Sequence, residues 1–332
     1  MNSFSLADCT TVEAALSQLK NGAVVKAGGV DLLDRMKNGT DAPARLVNIL
    51  NIRELRGIQA GPDGLTIGAL STLAEVADHA AIRADYTVLA DACGSAATHH
   101  IRNMATIGGN LLQELQCWYF RSADFQCLRK GKDICFAFSG LNQYHAIMDY
   151  GGCPSVAPSS AAVALLALGG SVELVSSKGR RTVAIKDFYV RPDANPHKFN
   201  VMEEGELLIA VRIPKPAAGT RSAYQKYGEK ESHDWAIADA GIVLEMDGST
   251  CKRAVVAMGA ASPVVRRSPE AEAALTGKTI NQETARAAGK ASMTNAMPLS
   301  MNAYKVQMFP VAVYRTILLA AGQMDRDPSA AG

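Results

Sequence analysis

Four cysteines, Cys117, Cys127, Cys135 and Cys153, lie close together in the chain, with nine, seven and seventeen residues between successive members. Four thiolates complete either a four-iron cluster or a tetrahedral zinc site. Zinc sites usually present tight C-x2-C pairs, because a short knuckle offers two sulfurs to one ion, and no such pair exists here. Wide, irregular spacing suits a loop wrapped around a larger object. Cys153-Pro154 matches the proline that follows the last ligand in ferredoxin-type runs. On spacing alone a cluster, a zinc ion and unliganded thiols all stay open.

A second kind of chemistry is carried by glycine. Lys26-Ala27-Gly28-Gly29-Val30-Asp31-Leu32 runs from strand through a Gly-Gly turn into helix. Backbone N–H groups exposed at such a turn and at a helix N-terminus form a cradle for a diphosphate, and glycine lets the phosphates approach. The GxGxxG fingerprint is absent, so a Rossmann site is not supported. Thr106-Ile107-Gly108-Gly109-Asn110 repeats the idea about eighty residues later. Its Thr106 and Asn110 can hydrogen-bond phosphate, ribityl or ring atoms; the plainer reading is a strand bulge with a turn-forming Asn. Two such elements in one chain suggest a large diphosphate-containing ligand.

The elements that must position these residues alternate. Thr10 and Glu13 read as a capping box for a helix through Lys20, and residues 23–27 as a buried strand. A helix at 30–37, closed by Gly39, and a strand at 45–49 follow. Residues 57–69 read as a hairpin around Gly61-Pro62-Asp63-Gly64, and Thr72 with Glu75 caps another helix. Residues 113–153 break the pattern, being aromatic, cysteine-rich and basic at 129–132, as in an insertion folded around something other than an apolar core. Beyond it come a helix at 161–168, strands at 171–175 and 182–185, and a strand ending in Ile213-Pro214-Lys215-Pro216. A domain boundary is placed near 215–222. Strands at 236–246 and 252–258 and helices near 268–275, 282–293 and 301–321 complete the chain, with Pro310 expected to kink the last helix.

At 332 residues, 48% hydrophobic and 20% charged, the chain suits two or three globular domains. Its 34 basic and 32 acidic residues leave +2, which gives no reason to expect nucleic acid. No apolar run approaches the ~20 residues of a membrane span. The first twenty residues carry acids and no basic stretch before Lys20, so a signal peptide is not expected. The expected compartment is cytoplasmic, with the periplasm open only by co-export with a partner. An odd count of seven cysteines argues against a disulfide framework; Cys9, Cys93 and Cys251 read as small buried side chains.

AGGVDLL at 27–33 and IRNMATIGGNLLQ at 101–113 resemble the two FAD-binding motifs of the xanthine dehydrogenase and carbon monoxide dehydrogenase flavoprotein group. The resemblance continues through ELLIAVRIP at 206–214 and YQKYGEKESHDWAIADAGI at 224–242. The insertion CWYFRSADFQCLRKGKDICFAFSGLNQYHAI is similar to that of the flavin subunits of 4-hydroxybenzoyl-CoA reductase and the bacterial periplasmic aldehyde oxidoreductase, which carry an added four-iron cluster. It implies an α+β fold: a two-subdomain FAD-binding domain at 1–218 (subdomains about 1–55 and 56–218, insertion 114–153), a smaller α+β domain at 219–325, and a flexible tail at 326–332. It implies that Lys26, Ala27, Gly28, Gly29, Val30, Asp31 and Leu32 hold the FAD diphosphate. Thr106, Gly108, Gly109 and Asn110 would approach the diphosphate and flavin, Ala96 and Ala97 would line the ring pocket, Ile209 would lie near the ring and Lys226 near its polar edge. Cys117, Cys127, Cys135 and Cys153 would ligate a [4Fe-4S] cluster. Where relatives read His-Pro-Ser-Asp, with the acid on the ribityl or ribose hydroxyls, this chain has Ala157-Pro158-Ser159-Ser160, leaving Ser159 and Ser160 without that charge.

The chain has no Ser–His–Asp set, no catalytic carboxylate pair and no molybdopterin motif, so a redox relay is expected. In the family a large molybdenum-cofactor subunit transforms substrate and a small subunit with two [2Fe-2S] clusters carries electrons, in a heterotrimer or its dimer. The external acceptor or donor would be NAD, oxygen, a quinone or a ferredoxin. Two rivals are a self-contained flavin oxidase and a zinc-stapled scaffold that has lost its flavin.

Overall fold

The computed structural model describes residues 1–230 and 234–325; the expected tail at 326–332 lies outside the described residues. The first sheet contains β1 (Ser5–Asp8), β2 (Val24–Lys26) and β3 (Arg45–Asn48), parallel and in the order β1-β3-β2. Parallel neighbours need crossovers, and helices Val12–Gln18 and Val30–Lys37 supply them. Leu32 and Met36 of the second helix pack on Leu46 of β3. Thr11, not Thr10, caps the first helix, accepting from the Ala14 N–H. That register puts Ala14 where a capping box needs an acid or amide, so Glu13 makes no reciprocal bond.

The second sheet contains β4 (Ile58–Gly61), β5 (Gly64–Gly68), β6 (Ser171–Ser176), β7 (Gly179–Ala184) and β8 (Leu207–Pro214), antiparallel in the order β4-β5-β8-β6-β7. Its inner face packs on helices Leu73–Asp78, Thr87–Gly94 and Ser160–Ala167. All eight residues of Ser160–Ala167 are buried, as a uniformly apolar helix between layers must be. The Thr72–Glu75 capping box forms as its spacing indicates.

The third sheet, β9 (Thr220–Tyr227), β10 (Ala238–Asp247), β11 (Thr250–Met258) and β12 (Arg266–Arg267), is antiparallel in the order β12-β11-β10-β9. Helices Pro269–Leu275, Gln282–Ala291 and Lys305–Ala320 cover one face. Pro310 lies inside the last helix, against Gly289, where a Cβ would stand 2.3 Å from the Pro310 carbonyl oxygen. Strands β1 and β9 are additional to those expected from the sequence, and a helical turn at Ile185–Phe188 stands where a strand is expected to end.

Residues 114–153 hold only a four-residue helix, Trp118–Arg121, and 3-10 turns at Leu128–Lys130 and Phe136–Phe138. Their own apolar cluster is small, centred on Leu115, Phe120 and Cys127. The end of the segment docks on the third layer: the Ile147 and Met148 N–H groups both donate to the Ala261 carbonyl at 3.0 Å.

Candidate functional site

The two glycine elements stand side by side. Gly29 precedes helix Val30–Lys37 in the left-handed region, φ +78°, which glycine adopts without strain. Thr106 caps helix Ile107–Leu111, accepting from the Gly109 N–H at 3.0 Å, while the Gly108 N–H donates to Ala69 O at 3.0 Å. The second element is therefore a capped helix start, not a bulge. Between the two turns opens a cleft of about 620 Å3.

Ala27, Gly28, Gly29, Val30, Asp31 and Leu32 line it, as do Ala96, Ala97, Thr106, Gly108, Gly109, Asn110, Ser160 and Lys226. Lys26 does not; its ammonium turns to Asn48 Oδ1 at 3.5 Å and its stem lies under Gly29. Ser159 sits one step behind, donating to Asn110 Oδ1 at 2.7 Å and capping Ser160–Ala167. Ile209 is not brought to the cleft. The pairing of β6 with β8 shifts there, leaving Ile209 without a β6 partner, and its side chain packs with Cys9, Val12 and Ile52. Leu207 and Leu208 of the same strand face the cleft instead.

At the opposite end residues 95–97 are held from beneath. Arg102 donates to Ala96 O at 3.0 Å and Ala97 O at 2.8 Å, and the Lys226 ammonium donates to the carbonyls of Ser95 and Asp234. Burial lowers the pKa of both cations. Ala97 is left-handed at φ 46°, a strain of about 1 kcal/mol for a residue with a Cβ. Beside it Ser160 meets the Tyr224 phenol, whose O–H donates to Asp239 Oδ2 at 3.0 Å. Asp239 is buried and takes the Ala260 N–H at 2.7 Å. Asp239 thus lies one side chain deeper than Ser160, outside the cleft.

The cleft fits a flavin nucleotide. Glycine leaves the phosphate end open, the Gly28-Gly29 turn and the Thr106-capped turn frame it, and Leu207, Leu208, Leu70 and Leu73 give apolar walls. The structure adds cleft residues that the motifs did not announce: Asp34, Arg35, Glu114, Gln116, Arg121, Met202 and Trp235. Arg121 and Trp235 fall within the resembling stretches, but only the fold brings these residues to one cleft.

The four cysteines share a small neighbourhood. Cys135 hydrogen-bonds Cys153, which lowers the Cys153 thiol to about 5 and raises that of Cys135. Burial raises Cys117 to about 11, with Cys153 and Cys127 close enough to add to it. His145 Nε2 is 3.3 Å from Cys117 Sγ, and burial, with Lys305 nearby, lowers the imidazole to about 4, so it is neutral. Trp118, Tyr119, Phe125, Phe136 and Tyr144 form edge and stacked pairs around them. Among the described residues no three His, Cys, Asp or Glu side chains converge tightly enough to hold one metal ion. Cys9, Cys93 and Cys251 are buried elsewhere in the apolar cores, and no cysteine is paired in a disulfide.

Residues 2–216 match the family model described as the FAD binding domain in molybdopterin dehydrogenase, and residues 222–320 match the CO dehydrogenase flavoprotein C-terminal domain. The aldehyde oxidoreductase FAD-binding subunit PaoB of Escherichia coli K12 is 35% identical over 246 residues, 72% of this chain and 76% of that protein. The carbon monoxide dehydrogenase medium chain of Hydrogenophaga pseudoflava is 28% identical over 285 residues, 86% of this chain and 83% of the relative. A solved structure of carbon monoxide dehydrogenase from Hydrogenophaga pseudoflava, in a form lacking the Mo-pyranopterin moiety, superposes with a TM-score of 0.76 at 26% identity, covering 98% of this chain and 99% of that one.

Proposed function

The chain belongs to the family of FAD-binding subunits of molybdopterin dehydrogenases, which are oxidoreductases, and from that premise we propose that it is the electron-relay subunit of such an enzyme, holding FAD in the cleft and a [4Fe-4S] cluster in the cysteine loop. Its relatives are named as subunits or medium chains, and substrate chemistry is assigned to a partner carrying the molybdenum cofactor. A small iron–sulfur subunit would be the other partner. Among the described residues no helix is long and apolar enough to cross a membrane.

FAD, when bound, would exchange electrons singly with an iron–sulfur partner and in pairs with an external acceptor or donor, while the protein sets position and access. The chain's residues supply the rest. N–H groups at Gly29 and Val30, at the start of an eight-residue helix, would hold the diphosphate. Thr106 and Ser159 fix the second turn and Asn110. Arg102 and Lys226 shape residues 95–97 as one wall of the ring pocket, and Leu207 and Leu208 exclude water. Cys117, Cys127, Cys135 and Cys153 would each give one thiolate to the cluster, under the aromatic cover of Trp118, Tyr119 and Phe136. What favours a multi-iron centre over zinc is the wide spacing of the four cysteines, which lacks the C-x2-C pairs of zinc sites.

The observation that carries the reading is the cleft between the two glycine turns, bordered by the loop that holds the four thiols. The test is an absorption spectrum with flavin, iron, sulfide and zinc analysis of the complex purified without oxygen. Flavin bands over a broad shoulder that bleaches with reductant support the relay. Flavin alone favours a self-contained oxidase, and zinc without flavin favours a scaffold.

A further inference from the structure

The sequence presents the cysteine insertion as a body apart from the flavin motifs, but Glu114, Gln116 and Arg121 of that insertion line the nucleotide cleft. We propose that the insertion is a structural part of the flavin-nucleotide site, with Arg121 and Glu114 as positioning residues, so that filling the thiol loop and filling the cleft reinforce each other. This rests on the reading of the two cofactors given above.

The path is continuous. Helix Trp118–Arg121 begins at Cys117, with the Arg121 N–H donating to Cys117 O at 2.9 Å. At its other end the Arg121 guanidinium reaches Asp31 Oδ1 at 2.5 Å and Asp34 Oδ2 at 3.4 Å. It also clamps its own loop, through Leu115 O at 2.7 Å and Glu114 O at 2.9 Å. Asp31 lies in the first turn of the helix that follows Gly29, so the guanidinium holds the turn meant for the diphosphate. A second tie runs in parallel: Glu114 Oε2 meets Arg35 Nη1 at 2.9 Å, and the Glu114 N–H donates to Asp31 Oδ2 at 3.2 Å. Arg35 closes the set by bonding Asp31 at 3.1 Å and Asp41.

Electrostatics points the same way. Three carboxylates, Asp31, Asp34 and Asp41, with the buried carboxyl of Glu114, stand near the turn that would receive an anionic diphosphate, against two guanidinium groups. Withdrawing Arg121 leaves Asp31 and Asp34 less neutralised and repels the phosphates. The loop, in turn, has only a small apolar cluster of its own, so a group bound by its thiols would add to its order. Order at the thiols fixes Cys117, hence Arg121, hence the Gly29 turn. Thermodynamic reciprocity requires that nucleotide in the cleft also favour the filled loop.

The experiment uses the whole complex and reads FAD release by the recovery of flavin fluorescence. Cys135→Ser should remove iron and raise the FAD dissociation constant about tenfold or more, within the usual range of coupling between sites. Arg121→Ala should raise it similarly, Arg121→Lys less, and Cys251→Ser not at all. FAD removal should in turn speed iron loss to a chelator. Wild-type FAD affinity in an iron-depleted Cys135→Ser complex overturns the proposal. If wild-type protein proves iron-free, the cluster reading fails by itself, and Arg121→Ala still decides: unchanged FAD affinity there removes the insertion from the nucleotide site. If Arg121→Ala does not assemble, Cys135→Ser carries the decision.

Discussion

A Cβ on Gly28 would stand 2.0 Å from the carbonyl oxygen of Met104, the residue two positions before Thr106. The two glycine motifs therefore touch through backbone, and neither can be described without the other. Gly28→Val has no flexible atom to displace, because the obstacle is main chain. The expected result is a loss of about 1–3 kcal/mol or more in stability, from strain of the kind that overpacking produces, together with loss of most bound FAD. Urea denaturation and flavin content measure the two; retention of full FAD by a folded Gly28→Val chain counts against the cleft as the nucleotide site.

Glu114 gives a pH signature. Burial raises its carboxyl to about 7 although Arg35 opposes the shift, with Asp41 and Asp31 adding to it. A carboxyl whose folded pKa lies above its unfolded value of 4.5 stays protonated in the folded state while the unfolded chain ionises. Its contribution is therefore most favourable below pH ~4.5, is lost as pH rises to ~7, and is level beyond, by up to about 3 kcal/mol. Glu114→Gln should flatten that part of the stability profile between pH 5 and 7.5. An identical slope in the variant would show that another group is responsible.

The thiols allow an internally controlled test. Cys127→Ser, Cys135→Ser and Cys153→Ser should each lower iron and acid-labile sulfide to a small fraction of the parent value. Cys9→Ser, Cys93→Ser and Cys251→Ser, in apolar cores, should leave iron unchanged while costing about 1–2 kcal/mol for a buried hydroxyl. Equal iron loss in both sets would indicate general unfolding rather than ligation.

Much of this site was legible because local rules and the fold agree. The turn at 28–29 followed by helix Val30–Lys37 and the Thr72–Glu75 capping box sit where spacing puts them. Failures occur where tertiary partners decide. Ile209 reads as one more apolar strand residue, and only the pairing shift between β6 and β8 turns it away from the cleft in favour of Leu207 and Leu208. Strand β9 was hidden because Arg221, Gln225 and Lys226 interrupt its apolar alternation; Arg221 reaches Ala321 O and Lys226 the Ser95 carbonyl. Arg121 and Glu114 carry no motif, since an ion pair across about ninety residues of chain leaves no periodic trace. Asp239 lies in the resembling stretch 224–242, but only the fold sets it behind Ser160, through Tyr224.

Lys305 supplies the last prediction. Its side chain is fully buried at the start of the C-terminal helix, and its ammonium donates to His145 O at 3.0 Å and Ala260 O at 2.7 Å. Burial lowers it to about 7, with Asp239 opposing the shift. A lysine depressed in the folded state binds its proton more weakly there than in the unfolded chain. Stability should accordingly rise with pH between ~7 and ~10.5 and be level below, since the unfolded chain holds more protons in that window. Lys305→Met should abolish this slope, because it removes the titrating ammonium while stripping a donor from Ala260 O. His145 O keeps the Asn302 amide at 3.0 Å, so the loop should loosen rather than detach. Because His145 Nε2 touches Cys117 Sγ, the variant should also lose iron to a chelator several-fold faster than the parent. Stability measured at pH 6.5, 8 and 9 with iron-release kinetics checks both halves, and a variant with the parental slope would show that Lys305 is not the group that titrates.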